Sequence, residues 1–389
     1  MINDLSLLTA REAAQSLGVK LDTLYAYVSR GRLRSVAVAG SRERRYRAED
    51  VTALRSGRAA PGRAGGDELA PAIGSSICLI EEGRLYYRGR DAIALSATAT
   101  LEEAAVLLWQ AAADADLDGG AGRPAPAPAP VAGLAERCQI RLAALADSDL
   151  PALDLTPRGV VRTGRGILRA LAECVAGAGS ATAPMHRRLA AAWRLDDAGA
   201  DVVRRALVLI ADHELNASTF VARCVASTGA TPYAVVGAAL AALSGRRHGG
   251  ASARAQALLR EAAGDADPLR PMAARLARGE DLPGFGQPLY PAGDPRAVAI
   301  LTALARAAPA ASAPVEAAAE AGFRLTGRRP NVDFALAAVA TALELPADAA
   351  LGLFIVGRSV GWIAHAIEQY ESGTSIRPRA RYLGPRPPK

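Results

Sequence analysis

The sequence predicts an all-α body carried behind a small basic helix-turn-helix domain, and three observations point there. Half of the 389 residues are hydrophobic yet only 4% are aromatic. Alanine, the best helix former, dominates, while the β-branched and aromatic residues that strands prefer are sparse. From Leu134 onward almost everything reads as helices of about 10 to 20 residues broken by Gly and Pro. The charge is also lopsided: residues 1–63 hold 12 Lys and Arg against 6 Asp and Glu, and the remainder holds 34 against 33. Nearly all of the net +7 therefore sits in the first sixth of the chain.

Residues 7–30 read LLTAREAAQSLGVKLDTLYAYVSR. Thr9 with Glu12 makes a capping box that starts a helix with Ala13, Ala14 and Leu17 inward, and Gly18 ends it. Leu17, Leu21, Leu24 and Val28 recur at helical spacing through a second helix and leave Lys20, Thr23, Tyr27 and Arg30 outward. After a short alternating run, SRERRYR (41–47) reads as a wing carrying Arg42, Arg44, Arg45 and Arg47, and residues 48–55 close the unit with one more helix. The pattern resembles the MerR and excisionase type of winged helix-turn-helix. Two readings are open. A basic helical unit can serve as a protein-docking module. Arginines on a wing beside an outward helix also suit the phosphates flanking the major groove of double-stranded DNA, and the coincidence of motif and charge favours that reading.

Composition excludes several classes. No apolar run approaches the roughly 18 residues that span a bilayer, the longest lying around Tyr233 to Leu243, so no membrane partner is expected. The start, MINDLSLLTARE, lacks the basic region of a signal peptide, which suggests a cytoplasmic protein. Cys78, Cys138, Cys174 and Cys224 are widely separated and read as reduced, buried small residues. HELNA at His213 has Ala217 where a zincin needs a second His, and no metal site is expected. GRGILR at Gly164 lacks the last glycine of a dinucleotide loop.

Residues 57–71 and the Pro-Ala stretch 121–133 read as linkers. Between them, SSICLIEEGRLYYRGRD (75–91) predicts a hairpin turning at Glu82 and Gly83. The body has four histidines, His186, His213, His248 and His365; each alone reads more readily as a satisfied structural residue than as a catalytic one. His213 lies between acids, and His248 lies in SGRRHGGAS, where glycines let the backbone approach a ligand. Asp333 starts a helix, as a capping acid or as a carboxylate kept ionised by the helix end. Arg296, Arg358 and Arg377 stand in apolar or Pro-rich settings, and guanidinium forks converging on a cleft would hold a di- or tricarboxylic acid. PGFGQPLYPAGDPRA (283–297) is too rich in Gly and Pro to continue a helix; it presents one uncharged amide, Gln287.

Six ordered blocks, YYRGRDAIALSATATLEEAAVLLW, LVLIADHELNAST, ALSGRRHGGA, PGFGQPLYPAGDPRA, PNVDFALAAV and GRSVGWIAHAIEQ…IRPRARYLGP, resemble the citrate synthase family. The resemblance implies an all-α fold of large and small helical domains, with the active site in the cleft between them, and a homodimer. The division it implies is a winged helix-turn-helix at 1–63, a linker at 64–76, a large domain at 77–248 and 339–389, and a small domain at 249–338. It implies that His248 stabilises an enolate, Asp333 abstracts a proton, and His213, Arg296 and Arg358 recognise oxaloacetate, with Arg377 reaching in from the partner subunit. Acetyl-CoA or another short acyl-CoA is then a co-substrate, and no further cofactor is implied.

Gln287 stands where the family motif usually has a His that polarises the ketone oxygen. An amide still donates a hydrogen bond but cannot become cationic, so slowed catalysis is expected. Ile210 replaces a His that often opens HADHE, Arg246 and Arg247 replace an uncharged pair, and PLYP lacks residues that often face CoA phosphates. Two functions follow: a citrate synthase-type acyltransferase, or a metabolite-sensing DNA-binding regulator that uses a degenerate body to bind oxaloacetate or citrate.

Overall fold

A computed structural model describes residues 7–29, 33, 35–37, 44–48, 51, 73–111, 133–177, 183–380, 382 and 384. The chain divides into two units, Met1–Ile73 and Gly74–Lys389.

In the first unit, Thr9 caps α1 (Ala10–Leu17) with its side chain on the Glu12 amide, while the Glu12 carboxylate takes the Thr9 amide at 2.7 Å. Gly18 closes α1 in the left-handed conformation, φ 67°. Strand β1 (Leu7–Leu8) before α1 and, after α2 (Leu21–Ser29), strands β2 (Val36–Ala37) and β3 (Arg44–Arg47) form an antiparallel sheet in the order β1-β3-β2. Val36 pairs with Arg45 and Ala37 with Arg44, which builds the wing. Ala13, Ala14, Leu24, Leu33, Tyr46 and Val51 make the core. The outward face of α2 differs from expectation in one place: Tyr27 is half-buried and packs against this core, while Leu21 is exposed. A tyrosine ring packed on this core lowers its free energy by leaving water. The wing tip, most of the closing helix and both linkers lie outside the described residues.

The second unit opens with β4 (Cys78–Glu81), β5 (Arg84–Tyr87) and β6 (Arg90–Asp91), an antiparallel sheet in sequence order. Glu82 and Gly83 both take positive φ at the first turn, the twist that a two-residue hairpin demands. The third strand, β6, was not expected. Helices α3 (Ala92–Ser96), α4 (Leu101–Trp109), α5 (Leu134–Ser148), α6 (Pro157–Ala176), α7 (Met185–Ala192), α8 (Asp197–Leu209), α9 (Ala217–Ala226) and α10 (Pro232–Leu243) follow. Then come α11 (Gly250–Ala263), α12 (Leu269–Ala277), α13 (Pro295–Ala307), α14 (Pro309–Thr326), α15 (Val332–Ala342) and α16 (Ala349–Ser372).

α16 is the axis of the body. It packs against α4, α6, α8, α9, α10 and α15. Helices α11 to α15 pack on one another and meet the rest through α13 on α8 and through α11 and α15 on α16. By length and composition α16 could cross a membrane, at mean hydropathy 1.5, contrary to the sequence reading; its most apolar window is 94% buried within the fold. A search for uninterrupted apolar runs passes over it, because Arg358, His365 and Glu368 punctuate it.

Candidate active site

The turn between α8 and α9 holds His213. Asn216 caps α9 through the Thr219 amide at 3.0 Å, and Tyr87 Oη lies 3.1, 3.1 and 3.2 Å from the carbonyls of Val208, Leu209 and Asp212, which share its single proton. All three carbonyls are buried, so Tyr87 ties the turn to the hairpin. His213 is 6% exposed, and its Nε2 lies 3.1 Å from Tyr290 Oη. Burial, with the charges of Arg296 and Arg358 added, holds its ring far below the ordinary imidazole range and therefore neutral.

Arg296 lies in the first turn of α13, behind N-cap Asp294 and Pro295. Its Nε and Nη2 grip the two oxygens of Asp294 at 2.9 and 2.7 Å, and its guanidinium stands 5.5 Å from the Tyr290 ring centre. Burial opposes this charge, but Asp294 outweighs it and raises Arg296 above the usual arginine range. Arg358, on α16, is 1% exposed and donates from Nε to the Ile210 carbonyl at 2.7 Å. Its Nη1 is buried with no hydrogen-bond partner among the described residues. Burial lowers Arg358, yet a guanidinium stays protonated at neutral pH. Its charge is felt by His213, His248 and Asp333, so one cation sits among the candidate groups of both halves of the site.

His248 ends the turn before α11, where a Cβ on Gly249 would lie 2.6 Å from the Leu243 carbonyl. The ring meets Phe354 edge-on at 5.7 Å. Burial first, and Arg358 second, pull it down to about 4, so it is neutral at pH 7. Its Nε2 lies 2.8 Å from Ser218 Oγ, which also accepts from Trp362 Nε1 at 3.2 Å. The single Ser218 proton thus has two acceptors, Asn216 Oδ1 and His248 Nε2. Turned to His248, it leaves the ring proton on Nδ1.

Asp333 sits in the first turn of α15, whose N-cap is Asn331. Its Oδ1 accepts from Ser252 Oγ at 2.6 Å, from one turn beyond His248. Burial raises this carboxyl above its ordinary value despite Ser252 and Arg296. The loop bearing Gln287 is stitched to the start of α15: the Gly286 amide donates to Arg329 O at 2.8 Å and the Asn331 amide to Gly284 O at 2.8 Å. Gly284 has φ 89°, and a Cβ there would lie 2.9 Å from Phe334 Cβ, so only glycine fits. Gln287 is half-buried; its Oε1 takes the Leu289 amide at 3.4 Å, and its NH2 group makes no hydrogen bond among the described residues.

The structure therefore brings His213, Arg296, Arg358, His248 and Asp333 within electrostatic reach of one another, with the Gln287 loop attached through Tyr290. Arg377 is exposed beyond α16, and Arg246 and Arg247 are exposed before His248. Ile210 is buried against α16 and offers only its carbonyl. Sequence reasoning missed Tyr290, Ser218, Ser252 and Trp362; Tyr290 in PLYP and Ser218 in HELNAST stood inside the quoted blocks and were the available signals. In the first unit, Lys20 is exposed and Thr23 and Arg45 are half-buried. Only the backbones of Arg44 and Arg47 are described, and Arg30 and Arg42 lie outside the described residues.

The second unit is thus an all-α body in which buried guanidiniums, neutral imidazoles and a raised carboxyl converge. The family profile "Citrate synthase, C-terminal domain" matches residues 172–379, more than half of the chain, and a "Helix-turn-helix domain" profile matches residues 7–59. The chain belongs to the citrate synthase family, with a helix-turn-helix domain at its N-terminal end. It is 42% identical over 192 residues to a citrate synthase of Haloferax volcanii, covering 48% of this chain and 50% of that protein. It is 38% identical over 191 residues to citrate synthase 2 of Bacillus subtilis, covering 48% and 51%. The chain thus spans about half the length of the curated relatives it matches. Its fold matches citrate synthase of Thermotoga maritima with TM-score 0.69 at 26% identity, over 82% of this chain and 95% of that one. It also matches the Thermoplasma acidophilum enzyme, solved with carboxymethyl coenzyme A and oxaloacetate, with TM-score 0.67 at 24% identity, over 82% and 96%.

Proposed function

We propose that the protein is a citrate synthase-type acyltransferase that condenses acetyl-CoA, or another short acyl-CoA, with oxaloacetate to release citrate and CoA. The observation that carries this reading is the buried, half-satisfied guanidinium of Arg358, beside the neutral His213 and within reach of both His248 and the raised carboxyl of Asp333. A carboxylate substrate supplies the hydrogen-bond acceptor that Nη1 lacks. Arg296 and His213 complete the oxo-acid set.

Asp333 then takes a proton from the acyl methyl group, its basicity increased by burial. His248, with its ring proton on Nδ1, donates to the enolate oxygen without ever needing to be cationic. Gln287 donates its idle amide N–H to the ketone oxygen as the new carbon–carbon bond forms, and water finally cleaves the thioester. Arg246 and Arg247 offer positive charge for CoA phosphates. Residues 249–338 act as a small domain that closes over the reactants. A homodimer is part of the reading, since Arg377 is exposed in the single chain and would complete the partner's site; sedimentation should give twice the chain mass. The four cysteines are unpaired, which suits a reducing compartment such as the cytoplasm.

The test is release of free thiol from acyl-CoAs by the purified protein in the presence of oxaloacetate. Turnover with at least one short acyl-CoA is expected; none above background across several acyl donors and oxo-acids defeats the reading.

The helix-turn-helix domain favours a second, compatible reading, in which the chain is a DNA-binding regulator sensing oxaloacetate or citrate. Lys20, Thr23, Arg30, Arg42, Arg44, Arg45 and Arg47 would face double-stranded DNA, while Tyr27 supports the domain core. Fluorescence anisotropy with random duplexes, with and without either acid, tests this; flat titrations in every condition end it.

A further inference from the structure

One face of α16 grips the turn that carries His213. Gly357, Gly361 and His365 recur at four-residue spacing and so line up along the helix. A Cβ on Gly357 would lie 2.5 Å from Ile210 Cγ1, and one on Gly361 would lie 2.3 Å from both Ala211 O and Asp212 Oδ2. The turn thus rests on the helix backbone itself. One helical turn further, His365 Nε2 faces Asp212 Oδ2 at 3.3 Å, with both side chains fully buried. The approach is a close polar contact and not an aligned hydrogen bond: neither atom makes a hydrogen bond among the described residues, so each is the only polar neighbour that meets the other's need. The other oxygen of Asp212 accepts from the Glu214 amide at 3.1 Å, so this carboxylate braces the backbone on both sides of His213.

The tautomer of His365 follows from its second neighbour. Arg223 Nη1 lies 3.3 Å from His365 Nδ1. A guanidinium only donates, so Nδ1 holds the lone pair and the ring proton sits on Nε2, facing Asp212. Arg223 is itself fixed by Gln369 Oε1 at 3.0 Å and by the Glu368 carboxylate. The other Glu368 oxygen accepts from Ser76 N and Oγ at 2.7 and 2.9 Å.

We propose that His365, oriented by Arg223, is a positioning residue for His213: through Asp212 it fixes the turn that presents the His213 ring to the oxo-acid. The functional consequence rests on the oxaloacetate reading above; the anchoring does not.

Three variants of the full chain test it. His365→Leu removes both ring contacts. Asp212→Asn keeps the shape and the Glu214 contact but sets an N–H against the Nε2 proton. His365→Gln restores an acceptor and a donor on one planar group. Amide hydrogen exchange of peptides covering residues 207–216 and calorimetric Kd for oxaloacetate are the readouts. His365→Leu and Asp212→Asn should each exchange about tenfold faster there and bind oxaloacetate about tenfold more weakly or worse, because small misplacements of binding groups are costly. The KM for acyl-CoA should not change, and His365→Gln should stay near wild type. A merely structural His365 would lower Tm without local exchange and without rescue by Gln. Should His365→Leu fail to fold, Asp212→Asn carries the test. Wild-type exchange in the folded disrupting variants, or Gln behaving as Leu, overturns the inference. If the wild-type protein itself takes up no oxaloacetate, the proposed function fails and the exchange pattern alone decides the anchoring.

Discussion

The two halves of the candidate site solve opposite problems. In the half proposed to hold the oxo-acid, Arg296 and Arg358 are both almost fully buried; one spends its charge on Asp294, and the other keeps an unpaired N–H. Charge there is permanent, and its position is set by caps and backbone carbonyls. In the half proposed to take the acyl group, His248 and Asp333 are half-buried, both shifted toward their neutral forms, and each is held by a single serine. A site that recognises a dianion needs fixed cations; a site that moves a proton needs groups whose ionisation is cheap to change. Under the proposed function the contrast separates binding from chemistry, and substitutions should separate them in the same way.

The largest effect should come from Asp333→Asn, which keeps the size and the Ser252 contact but removes the base. Thiol release should fall by about 10²- to 10⁴-fold with oxaloacetate affinity nearly unchanged. Because burial makes the Asp333 charge unfavourable in the fold, the same variant should be at least as heat-stable as wild type at pH 7. A parallel loss of oxaloacetate binding would break the division between the halves.

Next comes Gln287→His. If the loop presents an electrophilic donor, a group able to become cationic should raise the rate by up to about 10²- to 10³-fold, the usual worth of one such donor. An unchanged rate in a protein that still binds oxaloacetate would move weight to the sensor reading.

The helix-turn-helix and the body differ in how far the sequence carried. Thr9, Glu12 and Gly18 act within one helix, so their roles could be read locally. Tyr27 could not, because whether it faces out depends on Leu24 and on where the wing returns. In the body, six blocks were enough for the fold and named the residues that the structure gathers around Arg358. The residues that hold those in place were illegible: Ser218 reaches His248 across 30 positions, Ser252 reaches Asp333 across 81, and Asp294 turns from a cap into the clamp on Arg296. The apolar reading failed at α16 for a related reason, since its buried Arg358 and His365 are tolerated only by partners far away in sequence.

A smaller effect should follow Arg358→Met, which keeps much of the buried stem and removes the fork. Loss of a charge-assisted hydrogen bond predicts about 10- to 100-fold weaker oxaloacetate binding by calorimetry, with acyl-CoA affinity unaltered. Equal losses for both ligands would mean that Arg358 serves the two halves alike, and the comparison would need redrawing.

The most diagnostic effect is on stability against pH. His248 and the buried His186 are both pulled from 6.5 down to about 4, chiefly by burial, and His213 moves in the same direction. The unfolded chain therefore binds protons near pH 6.5 that the folded chain refuses until about pH 4. The stability these neutral rings represent is fully present above pH 6.5 and is lost as pH falls through that window, up to about 3 kcal/mol for each of the first two. Asp333 has the opposite sign: its raised carboxyl takes up a proton in the folded state before the unfolded one, which relieves a penalty as pH falls. Urea unfolding at pH 7, 5.5 and 4.5 should show falling stability. His248→Asn should flatten the curve and Asp333→Asn should steepen it, because one substitution removes a loss and the other removes a gain. Identical pH profiles for wild type and both variants would show that neither group titrates differently in the fold, and the acyl half would then lack the poised ionisation that distinguishes it from its neighbour.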